Sequence, residues 1–277
     1  KSAKTKRGVT WYSGKNKIYL GKNLDVRGEE LNDIISCFPP NSLDSHLAIY
    51  GNTRSGKTSS ATCIIAQAID LGIVPVVLVP YKPQDWRRLM HIFEELRIFT
   101  AGNPKIAPFR LNPFNVPDGV PLNKWISRIV TAFSASMPNG GTLEMHTKRM
   151  IRTAYENCGW DSKNETKGRP VLLTNLVDAV LDVRKRTPYG EELQADMYGA
   201  LVSRIESMLT NPVIVDMFNT SKGISFGELL SKPTIIEMDA LSKEDRIFLS
   251  GILAAGISEY KQAHPTKVVR HLLVLEE

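Results

Sequence analysis

The stretch at residues 51–58, GNTRSGKT, constrains what this chain can fold into more than any other. It fits the pattern G-x-x-x-x-G-K-[ST] without a mismatch. A chance match in a chain of this length is on the order of 1%. The flanks agree with it. HLAIY at 46–50 is a short apolar run of strand character, and SSATCIIAQAID at 59–70 carries apolar residues at helical spacing. Strand, glycine loop and helix together make a cup for anions, built from loop N–H groups and a helix N-terminus. Gly51 and Gly56 suit backbone conformations that a side chain resists. The sequence therefore predicts a nucleoside triphosphate seated on Gly51, Asn52, Thr53, Arg54, Ser55, Gly56, Lys57, Thr58 and Ser59. Lys57 would reach the β- and γ-phosphates, and the Thr58 hydroxyl would take one position on Mg²⁺. The bland alternative, a glycine turn beside a solvated lysine, explains neither flank.

At 277 residues, 42% of them hydrophobic and 23% charged, the chain can hold one large domain or a core with an insertion. The longest uncharged apolar stretch, 247–258, is too short to span a bilayer, and no secretory pattern opens the chain. Cys37, Cys63 and Cys158 are odd in number, far apart and without metal spacing. They are read as reduced, buried thiols of a cytoplasmic protein. The net charge of +6 is unevenly placed. Residues 1–24 hold seven basic side chains (Lys1, Lys4, Lys6, Arg7, Lys15, Lys17, Lys22) and no acid, so the remainder carries 28 basic against 29 acidic groups. Such a segment either touches nucleic acid through its phosphates or is a solvated arm. The absence of an initial Met and the stop at Leu275-Glu276-Glu277 in mid-strand are what part of a longer protein would show.

Along the chain, KIYLG at 17–21 reads as a short strand, followed by a turn at Pro39-Pro40-Asn41. VPVVLV at 74–79 is the continuous apolar run of a buried parallel strand. A helix is predicted over 84–96 and a strand over 96–100. From 121 to 211 the character changes to helices at 123–135, 143–157, 173–186 and 191–210, separated by linkers at 137–141 and 163–170. PTIIEMD at 233–239 resumes the sheet, a helix follows over 243–262, and VVRHLLVLEE at 268–277 closes the chain. The expected architecture is α/β, a core with a parallel-rich sheet and a helical insertion. Its parts are a basic N-terminal segment with short strands at 1–45, a first core part at 46–118, the insertion at 119–231 and a second core part at 232–277.

Hydrolysis needs carboxylates at the end of a neighbouring strand, one toward Mg²⁺ and one to activate water. Two strands offer them: TIIEMD, with Glu237 and Asp239, and HLLVLEE, with Glu276 and Glu277. Successive side chains on a strand point to opposite faces. The adjacent pair at the tip of HLLVLEE can therefore split the two roles, whereas Glu237 and Asp239 share a face. HLLVLEE is the better match.

GNTRSGKT after a basic segment containing YLGKNLD, then FRLNPF at 109–114, a helical insertion, TIIEMD, a long helix and LLVLEE follow an order that resembles the HerA/FtsK group of hexameric P-loop ATPases. The likeness is to the archaeal HerA-like branch and its conjugation-ATPase relatives, and it covers most of the chain. It implies a RecA-like core and ATP-driven movement of DNA through a homo-oligomeric ring, with ATP and Mg²⁺ as cofactors. It implies Lys57 and Thr58 as phosphate and metal contacts, Glu276 as the metal-side acid and Glu277 as the catalytic glutamate. There are departures. Arg54 stands where that family most often has Gly, and is read as pointing to solvent or to a neighbouring subunit. Glu276 stands where Asp is usual. The β-barrel before the core is not evident at 1–45, and the sensor residue and trans-acting arginine expected after Glu277 have no counterpart in the sequence.

For DNA, the candidates are Lys148, Arg149 and Arg152 on one helical face, Lys163, Lys167 and Arg169 in a linker, and Arg184 to Arg186. Trp86, Trp125 and Trp160 are read as core or interface residues. Two other functions stay open. One is an ATP-gated assembly module with little turnover, in a secretion, conjugation or defence complex; a nuclease or other effector is a candidate partner in either case. The other is a small-molecule kinase, which the long helical insertion does not suit.

Overall fold

The computed structural model describes residues 2–6, 9–13, 16–137, 143–164, 166–186 and 191–276. Glu277, the basic residues Lys1, Arg7 and Lys15 and positions 138–141 of the first linker lie outside them. The chain forms two compact units, one of residues 1–98, 229–237 and 266–277, the other of 99–228 and 238–265.

The first unit opens with two antiparallel hairpins, β1 (Ser2–Lys6) with β2 (Val9–Ser13) and β3 (Ile18–Leu24) with β4 (Glu30–Phe38). Helix α1 (Lys57–Asp70) follows the glycine loop, and then comes β5 (Val74–Val79). Every residue of β5 after Val74 is buried, as an apolar run covered on both faces must be. After a short helix α2 (Gln84–Arg87) comes β6 (Arg97–Thr100), and the sheet is completed late in the chain by β7 (Thr234–Glu237) and β8 (His271–Leu275). The order is β6-β7-β5-β8, with β5 parallel to both β7 and β8. Ile65 and Ala66 of α1 share one apolar cluster with Val77, Val79, Trp86, Leu89 and Ile235. The buried Gln67 behaves like a strand peptide: its Oε1 accepts from the Tyr19 N–H at 2.8 Å and its Nε2 donates to the Tyr19 carbonyl at 3.0 Å. The helix behind the glycine loop is thereby tied to β3.

Three expectations change. Residues 46–50 form no strand, and Leu47, Ile49 and Tyr50 are 51%, 37% and 91% exposed. A strand is made by the backbone that pairs with it, not by its apolar residues. Both sides of β5 are taken by β7 and β8, and none of the described strands lies beyond β8. The helix predicted over 84–96 stops at Arg87 and tightens into a 3₁₀ turn at Arg88–His91. That tightening lets Leu89, Ile92 and Leu96 all enter the core. Of the cysteines only Cys158 is buried, while Cys63 is half-buried and Cys37 is exposed on β4, where a two-stranded hairpin leaves side chains in water. None of the three forms a disulfide.

The second unit is helical: α3 (Leu122–Ala135), α4 (Glu144–Asn157), α5 (Asn175–Arg186), α6 (Glu191–Thr210), α7 (Pro212–Phe218), α8 (Phe226–Leu229) and α9 (Lys243–Ala263). The long helix α9 belongs here and not with the sheet. On α3, Trp125, Ile126, Ile129, Val130 and Phe133 repeat at helical spacing and are all buried. The buried Glu259 of α9 is bracketed by Lys124 and Arg128 of α3. Burial alone would raise the Glu259 carboxyl, yet hydrogen bonds from these two cations hold it below the usual range. At the start of α9, Ser242 caps the helix by accepting from the Asp245 N–H, and Asp245 takes Arg204 of α6 at 2.9 Å. No helix among the described residues is long and apolar enough to cross a membrane.

Two glycines of this unit predict opposite effects. A Cβ at Gly256 on α9 would stand 1.9 Å from Cζ of Phe226, a buried ring packed edge-on against Trp125. Overpacking of this kind costs about 3 kcal/mol, against about 1 kcal/mol gained from helix propensity. Gly256→Ala should therefore lose roughly 2 kcal/mol in urea denaturation. Gly199 on α6 has nothing within 4 Å of such a Cβ, so Gly199→Ala should gain about 0.5–1 kcal/mol.

Candidate nucleotide-binding site

The glycine loop owes its shape to two left-handed residues. Gly56, at φ 90°, turns the chain into α1, and Arg54, at φ 66°, turns it two residues earlier. A non-glycine residue in that region costs about 1 kcal/mol, so Arg54 keeps its place against the backbone's preference. Its side chain is exposed. The Ser55 N–H closes the turn onto the Asn52 carbonyl at 3.1 Å. No side chain caps the start of α1, which leaves first-turn N–H groups to an anion. Lys57 curls back over the loop, its Nζ donating to the Gly51 carbonyl at 2.7 Å and the Asn52 carbonyl at 3.1 Å. These exposed bonds are ones a phosphate can replace. Behind the loop, burial pushes the Cys63 thiol up.

Strand β8 delivers the acid. The Glu276 N–H donates to the Leu78 carbonyl at 3.2 Å, continuing the β5–β8 ladder one residue past the strand. The Thr58 Oγ1 donates to Glu276 Oε1 at 2.9 Å, across 218 residues of sequence. The indole N–H of Trp86 donates to the other oxygen, Oε2. Thr58 and Glu276 thus meet at the C-terminal ends of parallel strands, where α/β sheets take their ligands.

Glu237 lies on the other side of β5, paired in register with Val79. It is fully buried, and Arg87 holds both its oxygens, Nε on Oε1 at 2.6 Å and Nη2 on Oε2 at 2.7 Å. Of the two acids that end strands β7 and β8, Glu237 is thus committed to an ion pair, while Glu276 faces the phosphate loop. Asp239 falls among the residues of the second unit.

Thr58 and Glu276 offer two hard oxygen donors side by side at the start of the helix that follows the glycine loop. That set suits Mg²⁺, which takes few protein ligands and completes its shell with phosphate and water. The described residues gather no larger group of His, Cys, Asp and Glu that would suggest another metal.

In the second unit, Lys148 and Arg149 are exposed on α4, while Arg152 donates to Asn123 at 3.2 Å. Lys163, Lys167, Arg169, Arg184 and Arg186 are exposed as well. Trp125 is buried, and Trp160 donates to the Arg169 carbonyl at 2.8 Å. Trp86 is buried in the first unit, and its bond to Glu276 is the feature that sequence reasoning missed. Its only signal in the sequence was a polar-tipped aromatic shortly after a buried parallel strand.

Among solved structures, the chain is similar to VirB4 of Thermoanaerobacter pseudethanolicus, with a TM-score of 0.62 and 14% identity, over 95% of this chain and 68% of that one. No family model matches the sequence. No curated protein matches it either. The glycine loop, the parallel sheet and this likeness together give the α/β fold that the sequence predicts, with the RecA-like P-loop core that the resemblance implies.

Proposed function

We propose that this protein is an ATP-dependent motor ATPase of the HerA/FtsK type, acting on DNA as a homo-oligomeric ring, a hexamer, in the cytoplasm. The observation that carries the reading is the hydrogen bond between Thr58 and Glu276, which joins the phosphate loop to an acidic strand end. In this reading Lys57 and the loop N–H groups hold the phosphates and stabilise the charge that develops on them. Thr58 and Glu276 would hold Mg²⁺, which would offset the negative charge of the triphosphate. Glu277 orients a water toward the γ-phosphate and accepts its proton. An arginine from the next subunit would complete the site and make assembly a condition of turnover. The basic clusters of the second unit would follow the DNA backbone without regard to sequence.

A second reading fits the likeness to VirB4 at least as well: an ATP-gated assembly module of a secretion, conjugation or defence complex, with little turnover. ATP turnover with and without duplex DNA separates the two. The motor should hydrolyse ATP with Mg²⁺ and speed up several-fold on adding duplex, with a salt-dependent effect. A protein that enlarges on a sizing column with ATP, yet hydrolyses little of it with or without DNA, is the assembly module.

A further inference from the structure

We propose that Trp86 is a positioning residue for Glu276, holding one carboxylate oxygen so that the other faces Thr58 and the metal side of the phosphate loop. The inference rests on the ATP-binding reading given above.

The argument starts from the end of β5. Its last residues are in register with Glu237 of β7 on one side and with Leu275, just before Glu276, on the other. Two carboxylates therefore flank the strand where it leaves the sheet. The short helix α2, QDWR, follows after a four-residue turn at 80–83. Its two last residues reach to opposite sides, Arg87 to Glu237 and Trp86 to Glu276. The two donors do different things. A guanidinium neutralises the carboxylate it grips, and a paired Glu237 has little left for a cation. An indole N–H is a neutral donor with no acceptor capacity. It fixes the direction of Glu276 and leaves its full charge for Mg²⁺. Glutamate has one more torsion than aspartate, so its oxygens are less defined by the backbone. Trp86 removes that freedom. The indole is itself immobilised, 1% exposed within the apolar cluster of α1 and β5. A buried indole N–H needs an acceptor, and Glu276 is the one it has. Partners of this kind, one shell out from a metal, typically affect its affinity by 10–100-fold.

Two measurements test this on the full chain. In protein labelled with ¹⁵N-tryptophan, one of the four indole resonances should move upfield in Glu276→Gln, where the charged acceptor is lost, while the other three hold still. In Trp86→Phe, nucleotide affinity without Mg²⁺ should be unchanged, and the Mg²⁺ concentration for half-maximal nucleotide binding should rise about tenfold. The resonance experiment leaves the tryptophan in place, so it decides the question even where Trp86→Phe folds poorly. The inference is overturned when no indole resonance responds to Glu276→Gln, or when Trp86→Phe binds Mg²⁺-nucleotide with the unaltered protein's Mg²⁺ dependence. Failure of the unaltered protein to bind nucleotide with Mg²⁺ sinks the site reading itself, and this inference with it.

Discussion

Lys57→Ala should weaken ATP binding by at least about a hundredfold and remove turnover with it. The lysine is the side chain of the loop that would reach the β- and γ-phosphates. In the structure its ammonium already makes two hydrogen bonds to the loop, to the carbonyls of Gly51 and Asn52. Those bonds are exposed and compete with water, so losing them should leave thermal stability nearly unchanged. Bonds to phosphate oxygens are different in kind. Each charge-assisted bond is worth about 1.5–3 kcal/mol, and two of them amount to roughly a hundredfold in affinity or more. Calorimetric titration with ATP and Mg²⁺ measures the loss, and a melting curve checks that the fold is intact. Binding within a few-fold of the unaltered protein would mean that the glycine loop is not where the phosphates sit.

Glu277→Gln should leave ATP binding intact and lower turnover by about 10²–10⁴, the usual contribution of a positioned base. The amide keeps the shape of the side chain but cannot take a proton. The contrast is with the acids of the rival strand. Glu237→Gln replaces one member of a buried ion pair with Arg87, and should show up as lost stability. Asp239→Asn should turn over normally. Single-turnover measurements with saturating ATP separate these cases. A Glu277→Gln protein that hydrolyses at the normal rate, beside a dead Asp239→Asn, would move the catalytic role to the other strand.

Much of this was legible in the sequence because it is local. The glycine loop is a run of adjacent residues whose backbone demands are met by Gly56 and by the helix start behind it. The helices at 122–135, 144–157 and 191–210 show their periodicity within a few turns each. A buried parallel strand such as β5 announces itself by an unbroken apolar run. The stretch at 46–50 has the same kind of composition and yet is no strand, because pairing is a property of two segments and composition of one.

What the sequence by itself determined is therefore the glycine loop, the long helices and the buried strand, each set by residues close together in the chain. The sequence favoured the acids of HLLVLEE by their spacing; only the tertiary structure brings the Glu276 carboxylate onto the Thr58 hydroxyl. The order β6-β7-β5-β8 sets Glu237 and Glu276 on opposite sides of β5, and the next helix assigns Arg87 to one and Trp86 to the other. These partners lie 150 and 190 residues apart in sequence. No periodicity spans such a distance; only the register of parallel strands brings them together.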